Sequence, residues 1–156
     1  AKFVRILPLE FNVQTGLRFD VLGCTPDCKT AALCSGPDWY EFGEFCYKPF
    51  GDKKTWHNAR RSCRNLGAEL MSILSMKEQI TSDMWTGLND LVVPGMFTWS
   101  DEHLVTFTYW APGEPNNHDG FSEDCNCVEM YPDGRWNDNN CLQKRGFACR
   151  HRLYNR

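Results

Sequence analysis

The sequence predicts one domain of mixed α+β architecture with an N-terminal appendage, stapled by disulfides. Apolar residues recur at helical spacing between Thr55 and Leu66. Short runs rich in aromatic residues alternate with turns in the second half of the chain. Nine cysteines occur in 156 residues without paired Cys-x-x-Cys metal knuckles. They indicate an oxidising, extracellular setting, either secreted or at the cell surface.

The first elements are two short strands, predicted at residues 3–7 and 17–22, where apolar and charged side chains alternate. Residues 24–37 are rich in cysteine, glycine and proline and are predicted to link this opening to a module that starts near Cys34. The chain begins Ala-Lys-Phe, without a signal segment, and we expect it to be a mature fragment.

Two helices are predicted. The first covers residues 55–66 and ends before Gly67, since Trp56, Ala59, Cys63 and Leu66 share one face. The second starts at the capping-box pattern Ser75–Glu78 and is short, because only about two and a half turns fit before Trp85.

Short strands are predicted at residues 97–99, 106–110, 128–131 and 147–149, with a tight turn at Pro132–Gly134. The larger aromatic residues at helix or strand spacing are expected in the core. They are Trp39, Trp56, Trp85, Trp99, Phe107 and Tyr109.

Composition excludes several classes of function. The net charge of −3 argues against nucleic acid as a partner, and the basic group Arg60, Arg61 and Arg64 is interpreted as a solvated helix face. No apolar run approaches the ~20 residues that span a bilayer. No nucleophile, zinc-protease or phosphate-loop motif is present, so we do not expect an enzyme.

Oxygen-bearing side chains concentrate in two segments of the second half. Glu114 and Asn116 flank Pro115, Glu123 follows, and Asn137 and Asp138 come directly after Trp136. Carboxylates and amide carbonyls without a required histidine or thiolate suit a hard cation, so the predicted cofactor is Ca²⁺.

These motifs carry a resemblance to the C-type lectin domain over residues 34–150. The matching segments, in order, are Trp85–Leu88, Trp110–Asn116, Trp136–Asp138, Cys141 and Cys149. The resemblance implies a fold with two helices, short antiparallel sheets and a long calcium-binding loop region. It also implies that Glu114, Asn116, Glu123, Asn137 and Asp138 bind both calcium and sugar.

The Glu-Pro-Asn order in this family favours glycans with terminal mannose, fucose or N-acetylglucosamine, whereas Gln-Pro-Asp favours galactose. A protein-binding module without sugar affinity is the alternative, supported by the short second helix and by the shifted Glu123. Glu123 precedes Cys125 and not Cys127, so two alignments compete. We favour Cys127 as the family cysteine, with Glu123 looped out.

Three disulfides follow from the resemblance: Cys34–Cys46, Cys63–Cys149 and Cys127–Cys141. Cys24, Cys28 and Cys125 remain, and Cys28 could pair with either of the other two. A second calcium site, known in some relatives, is expected to be lost or weak, because only Asp90 is acidic there and Pro94 stands where an acid is expected. His118 is interpreted as a solvated loop residue that could contact sugar.

Residues 1–24 resemble the last strands of a discoidin, or coagulation-factor C-type, domain. The membrane-binding loops of that family are absent, so no membrane insertion is expected from this part. The resulting organisation is a discoidin-like tail at 1–24, a linker at 25–33, the lectin-like domain at 34–150 and a tail at 151–156. A larger multidomain parent is expected.

Overall fold

The computed structural model describes residues 34, 36–80, 82–117 and 126–153. The predicted strands at 3–7 and 17–22, the linker at 25–33 and the discoidin-like tail at 1–24 all lie outside these residues. Within them the chain forms one helix and eight strands. These are β1 (Tyr40–Phe42), β2 (Phe45–Lys54), α1 (Trp56–Arg64), β3 (Glu69–Leu70), β4 (Met84–Asn89), β5 (Thr98–Trp99), β6 (Asn126–Met130), β7 (Trp136–Asn140) and β8 (Arg145–Arg152).

The strands form one sheet with the order β1-β2-β8-β4-β6-β7, while β3 pairs with β8 and β5 with β4. The pairs are antiparallel as predicted, except that β4 runs parallel to β8, with Trp85 opposite Phe147. The last strand continues through Arg152, two residues into the predicted tail. None of the described helices is long and apolar enough to cross a membrane.

The predicted first helix is confirmed with slightly shorter bounds. Thr55 caps its N-terminus, because the threonine hydroxyl accepts the N–H of Asn58. Trp56, Ala59 and Cys63 are buried, whereas Leu66 lies beyond the last turn and is 47% exposed. Gly67 follows with φ of +72°, a conformation that favours glycine.

The second predicted helix is wrong. Residues 75–78 form a turn closed by the Glu78 N–H donating to the Ser75 carbonyl at 3.0 Å. The Glu78 carboxylate accepts the Leu74 N–H at 3.0 Å and pairs with Arg150, which is distant in sequence. The carboxylate therefore ties this turn to β8, and no helix propagates from the capping-box residues.

The predicted strand at 106–110 is also wrong, since only Trp110 forms a bridge, to Trp136. The Trp136 N–H donates to the Tyr109 carbonyl and the Ala111 N–H to the Trp136 carbonyl, both at 2.8 Å. Pro112 lacks an N–H to extend this pairing. The segment is held mainly by packing, because Phe107 lies edge-on to the ring of Trp136.

The core is aromatic and cross-linked. Trp56, Trp85, Trp99 and Trp136 are at most 3% exposed, while Trp39, Phe107 and Tyr109 are partly buried against the core. The structure contains the three disulfides that the resemblance implied: Cys34–Cys46, Cys63–Cys149 and Cys127–Cys141. Cys24, Cys28 and Cys125 lie outside the described residues.

Candidate metal centre

Two chain segments meet at the edge of the sheet where the predicted ligands lie. The strand β7 is held against β6 over its full length, with Glu129 opposite Asn137 and Val128 opposite Asp138. The loop that contains Glu114 is attached to the start of β7 by the two backbone bonds around Trp136. Because Trp136 is fully buried, this attachment is anchored in the core.

The Glu114–Pro115 peptide bond is cis. The Asn116 side-chain nitrogen donates to Glu114 Oε1 at 3.0 Å, and the Asn116 N–H donates to Glu114 Oε2 at 3.1 Å. The side chains of Glu114 and Asn116 therefore face one another across the proline.

Asp138 joins this pair from β7. Its Oδ1 accepts the N–H of Asn116 at 3.0 Å, and its Oδ2 accepts the N–H of Asn117 at 2.8 Å. The carboxylate is 1% exposed, and no lysine or arginine within the described residues forms an ion pair with it. Asp138 thus clamps the Glu114 loop to the sheet.

Asn137 is turned toward a different neighbour. Its side-chain nitrogen donates to Glu129 Oε1 at 3.0 Å, and the residue is 8% exposed. No hydrogen bond among the described residues joins the Asn137 side chain to Glu114, Asn116 or Asp138. Glu123 and His118 lie outside the described residues, so their predicted roles stay predictions.

The donor set fits a hard cation. Glu114 and Asp138 supply carboxylate oxygens, and the amides of Asn116 and Asn137 can supply carbonyl oxygens. Across the described residues, no group of three or more histidine, cysteine, aspartate or glutamate side chains could hold a metal. A site built from the described residues would include the asparagine carbonyls, a ligand type that suits calcium better than zinc.

A pocket of about 330 Å³ opens beside this set, lined by Asp138 and Asn117 on one side and by Pro94, Gly95 and Phe97 on the other. Asp90, the acid considered for a second calcium site, accepts the Gly95 N–H at 2.7 Å and is 4% exposed. This bond fixes the 90–95 turn that forms one wall of the pocket.

A larger cleft of about 400 Å³ lies elsewhere, around Arg150 and the end of α1. Its charges are largely matched: Arg60 and Arg64 pair with Glu69, and Arg150 pairs with Asp101. In the basic group of α1, Arg61 and Arg64 are exposed, as predicted for a solvated face, whereas Arg60 is half-buried. The charged side chains that line the cleft are thus engaged mainly with one another.

Tyr131 reports on the electrostatics of the predicted site. Burial raises the pKa of its phenol above the ordinary value, and the charges of Glu129 and Glu114 add to the effect. The nearby charge of Arg145 acts in the opposite direction and lowers this pKa.

Glu114→Gln is expected to lower the pKa of Tyr131, because removing a nearby negative charge makes the phenolate less costly. Tyrosine absorbance in an alkaline titration measures this, with Tyr131→Phe identifying the signal. Glu102→Gln, in an exposed loop, is the matched control. An unchanged Tyr131 pKa in Glu114→Gln would contradict the placement of Glu114.

Comparison with known proteins decides the family. Residues 52–151 match the family model described as the lectin C-type domain. The chain belongs to the C-type lectin domain family. Members of this family are generally not enzymes.

Two relatives show the extent of the similarity. This C-type lectin domain is 40% identical over 123 residues to C-type mannose receptor 2 of Mus musculus, covering 73% of the chain and 8% of the receptor. It is 35% identical over 118 residues to the versican core protein of Homo sapiens, covering 72% of the chain and 4% of that protein. The chain thus spans a small part of both relatives.

Two solved structures share the fold. The cow CD23 carbohydrate-recognition domain, determined in the presence of a GlcNAc2Man3 oligosaccharide, is 33% identical with a TM-score of 0.71, covering 78% of this chain and 98% of that one. A calcium-independent type II antifreeze protein is 28% identical, also with a TM-score of 0.71, covering 80% of this chain and 98% of that one. The shared fold thus occurs both in a carbohydrate-recognition domain and in a protein described as calcium-independent.

Glu129 and Arg145 are the residues of this region that sequence reasoning missed. Glu129 was assigned only to a strand, and nothing in its neighbours along the chain marks it. Its contacts come from residues 8, 10 and 16 positions away, which only the folded strands bring together.

Proposed function

We propose that this C-type lectin domain binds terminal mannose-type sugars through one calcium ion, in extracellular recognition or adhesion. The observation that carries the proposal is the hydrogen-bonded set of Glu114, Asn116 and Asp138. It joins the Glu-Pro-Asn loop to the Trp-Asn-Asp strand, beside an open pocket. Glu114 and Asp138 supply carboxylates and Asn116 supplies an amide, the groups that the proposed calcium and sugar contacts require.

The proposed ligands are Glu114, Asn116, Asn137 and Asp138, with Glu123 as a fifth from outside the described residues. When bound, the ion would accept two neighbouring sugar hydroxyls as ligands. Each hydroxyl would also hydrogen-bond one carboxylate and one amide of the protein. Mannose, fucose and N-acetylglucosamine present such hydroxyl pairs, and the oligosaccharide used with the cow CD23 domain supports this sugar class.

The secreted or cell-surface setting is supported by the three disulfides. Such bonds persist mainly in oxidising compartments.

Sugar preference tests the proposal. Replacing Glu114 by Gln together with Asn116 by Asp keeps oxygen ligands in place but exchanges the hydrogen-bond pattern offered to the sugar. Binding is expected to shift from mannose toward galactose, as measured on immobilised sugars in calcium. Unchanged preference would place the sugar elsewhere on the domain.

Chelation and acid provide the matching controls in the unchanged protein. Calcium and protons compete for the carboxylates, so mannose binding is expected to weaken as the pH falls and to vanish in chelator. Mannose binding that persists in chelator would remove calcium from the proposal.

A protein ligand is the second candidate function. The loop between β4 and β5 exposes Val92 (84%), Val93 (45%) and Met96 (64%) next to the pocket, an apolar surface that suits protein contact. The antifreeze neighbour is described as calcium-independent. Calcium uptake without sugar uptake would favour this function.

A further inference from the structure

Glu129 is a buried carboxylate in the middle of β6, 2% exposed. A buried charge is costly unless it is paired and hydrogen-bonded. Glu129 is held by three donors: Oε1 accepts the side-chain nitrogens of Asn137 at 3.0 Å and Asn139 at 2.9 Å, and Oε2 accepts Nε of Arg145. Arg145 is itself fixed by Asp83 at 3.1 Å.

These hydrogen bonds determine whether the nitrogen or the oxygen of the Asn137 side-chain amide faces Glu129. An ionised carboxylate can only accept hydrogen bonds, so the nitrogen of Asn137 must point at Glu129. The carbonyl oxygen then lies at the opposite end of the amide. A cation needs this oxygen, and an amide free to turn would present its nitrogen part of the time.

Three features make Glu129 suited to this task. It lies directly opposite Asn137 in the β6–β7 register, so the bond spans a fixed cross-strand distance. Asn139, two residues along the same face of β7, donates to the same oxygen. The Arg145 ion pair holds the other oxygen, which leaves the carboxylate one orientation.

We propose that Glu129 is a positioning residue that fixes the carbonyl oxygen of Asn137 for calcium. The inference rests on the proposed function for the identity of the ion. Glu129 itself stays bonded to Asn137, Asn139 and Arg145 and does not touch the ion. The partners of a metal ligand typically contribute about 10- to 100-fold to metal affinity.

Glu129→Gln tests the proposal with almost no change in shape. The Arg145 guanidinium attracts the glutamine oxygen, so the glutamine nitrogen faces Asn137. Because two donors cannot bond, the Asn137 amide turns its oxygen inward. The calcium dissociation constant, measured by calorimetry, is expected to rise about 10- to 100-fold. Glu44→Gln, the same change at a 73% exposed side chain, is expected to leave it unchanged.

Two further measurements separate positioning from a purely structural role. If Glu129 acts through Asn137, Glu129→Gln adds no loss of calcium affinity in an Asn137→Ala background. In chelator, the NMR signals of the Asn137 side-chain amide are expected to move in Glu129→Gln and not in Glu44→Gln. This second readout does not depend on bound calcium.

The outcomes distinguish the positioning role of Glu129 from the proposed calcium-dependent sugar binding. If the unchanged protein binds calcium and Glu129→Gln binds it equally well, the positioning role is overturned while the proposed function stands. Full additivity with Asn137→Ala, or unmoved Asn137 amide signals, would overturn it too. If the unchanged protein binds no calcium, the proposed function and the positioning role for calcium fall together.

Discussion

Asp138→Asn is expected to weaken calcium binding by more than about 100-fold and to abolish mannose binding. Loss of a direct ligand should exceed the roughly 10- to 100-fold effect of removing a ligand's hydrogen-bond partner. Asp138 also accepts the backbone N–H groups of Asn116 and Asn117. Its substitution therefore removes a charge and loosens the loop that carries Glu114.

Calorimetry with calcium measures the first effect, and retention on immobilised mannose measures the second. Asp133→Asn is the matched control, because Asp133 lies in the turn between β6 and β7 with its side chain 62% exposed. It is expected to bind calcium and mannose like the unchanged protein. Loss of a ligand should lower calcium affinity by more than about tenfold. If the affinity of Asp138→Asn stays within that factor of the unchanged protein, Asp138 is excluded as a ligand.

Removal of the Cys63–Cys149 disulfide is expected to cause the largest loss of stability. The bond joins α1 to β8 across 86 residues of sequence, and it restricts the unfolded chain more than a short cross-link does. The double variant Cys63→Ala/Cys149→Ala is expected to lose about 4 to 5 kcal/mol of unfolding free energy. Denaturant unfolding under non-reducing conditions measures it.

The Cys34–Cys46 bond is the internal comparison, since it closes only 12 residues. Its double alanine variant is expected to lose less, about 3 kcal/mol. An equal or smaller loss on removing Cys63–Cys149 would contradict the chain-restriction account. It would point instead to the local packing of the two cysteines.

Sequence patterns predicted the elements whose formation depends on residues close together along the chain. The helix α1 follows from the helical spacing of Trp56, Ala59 and Cys63, whereas its Thr55 cap is seen only in the structure. The Pro132–Gly134 turn follows from its residue types and closes through the Gly134 N–H to the Tyr131 carbonyl. The cysteine pairs came from family resemblance, because cysteine spacing alone leaves many connectivities open.

The errors arose where distant partners override local preference. Ser75–Glu78 has a helix-start pattern, but Glu78 bonds Leu74 and Arg150 and the segment stays a turn. The strand expected at 106–110 reduces to one bridge at Trp110. The contacts of Glu129 likewise depend on β6, β7 and β8 being assembled, and sequence periodicity carries no signal for them.

The same limit applies to the candidate site. The residue types predicted an oxygen-ligand cation site, and the structure joins Glu114, Asn116 and Asp138 through hydrogen bonds. The bond from Asn137 to Glu129 was not predicted. An isolated strand sequence does not show which neighbour an amide side chain will bond.

The most direct measurement of the central claim is calorimetric titration of the oxidised domain, first with calcium and then with mannose or galactose in the presence of calcium. We predict saturable calcium binding, followed by mannose binding that chelator removes and that exceeds galactose binding. Absence of calcium binding, or equal mannose binding in chelator, would contradict a calcium-dependent sugar site.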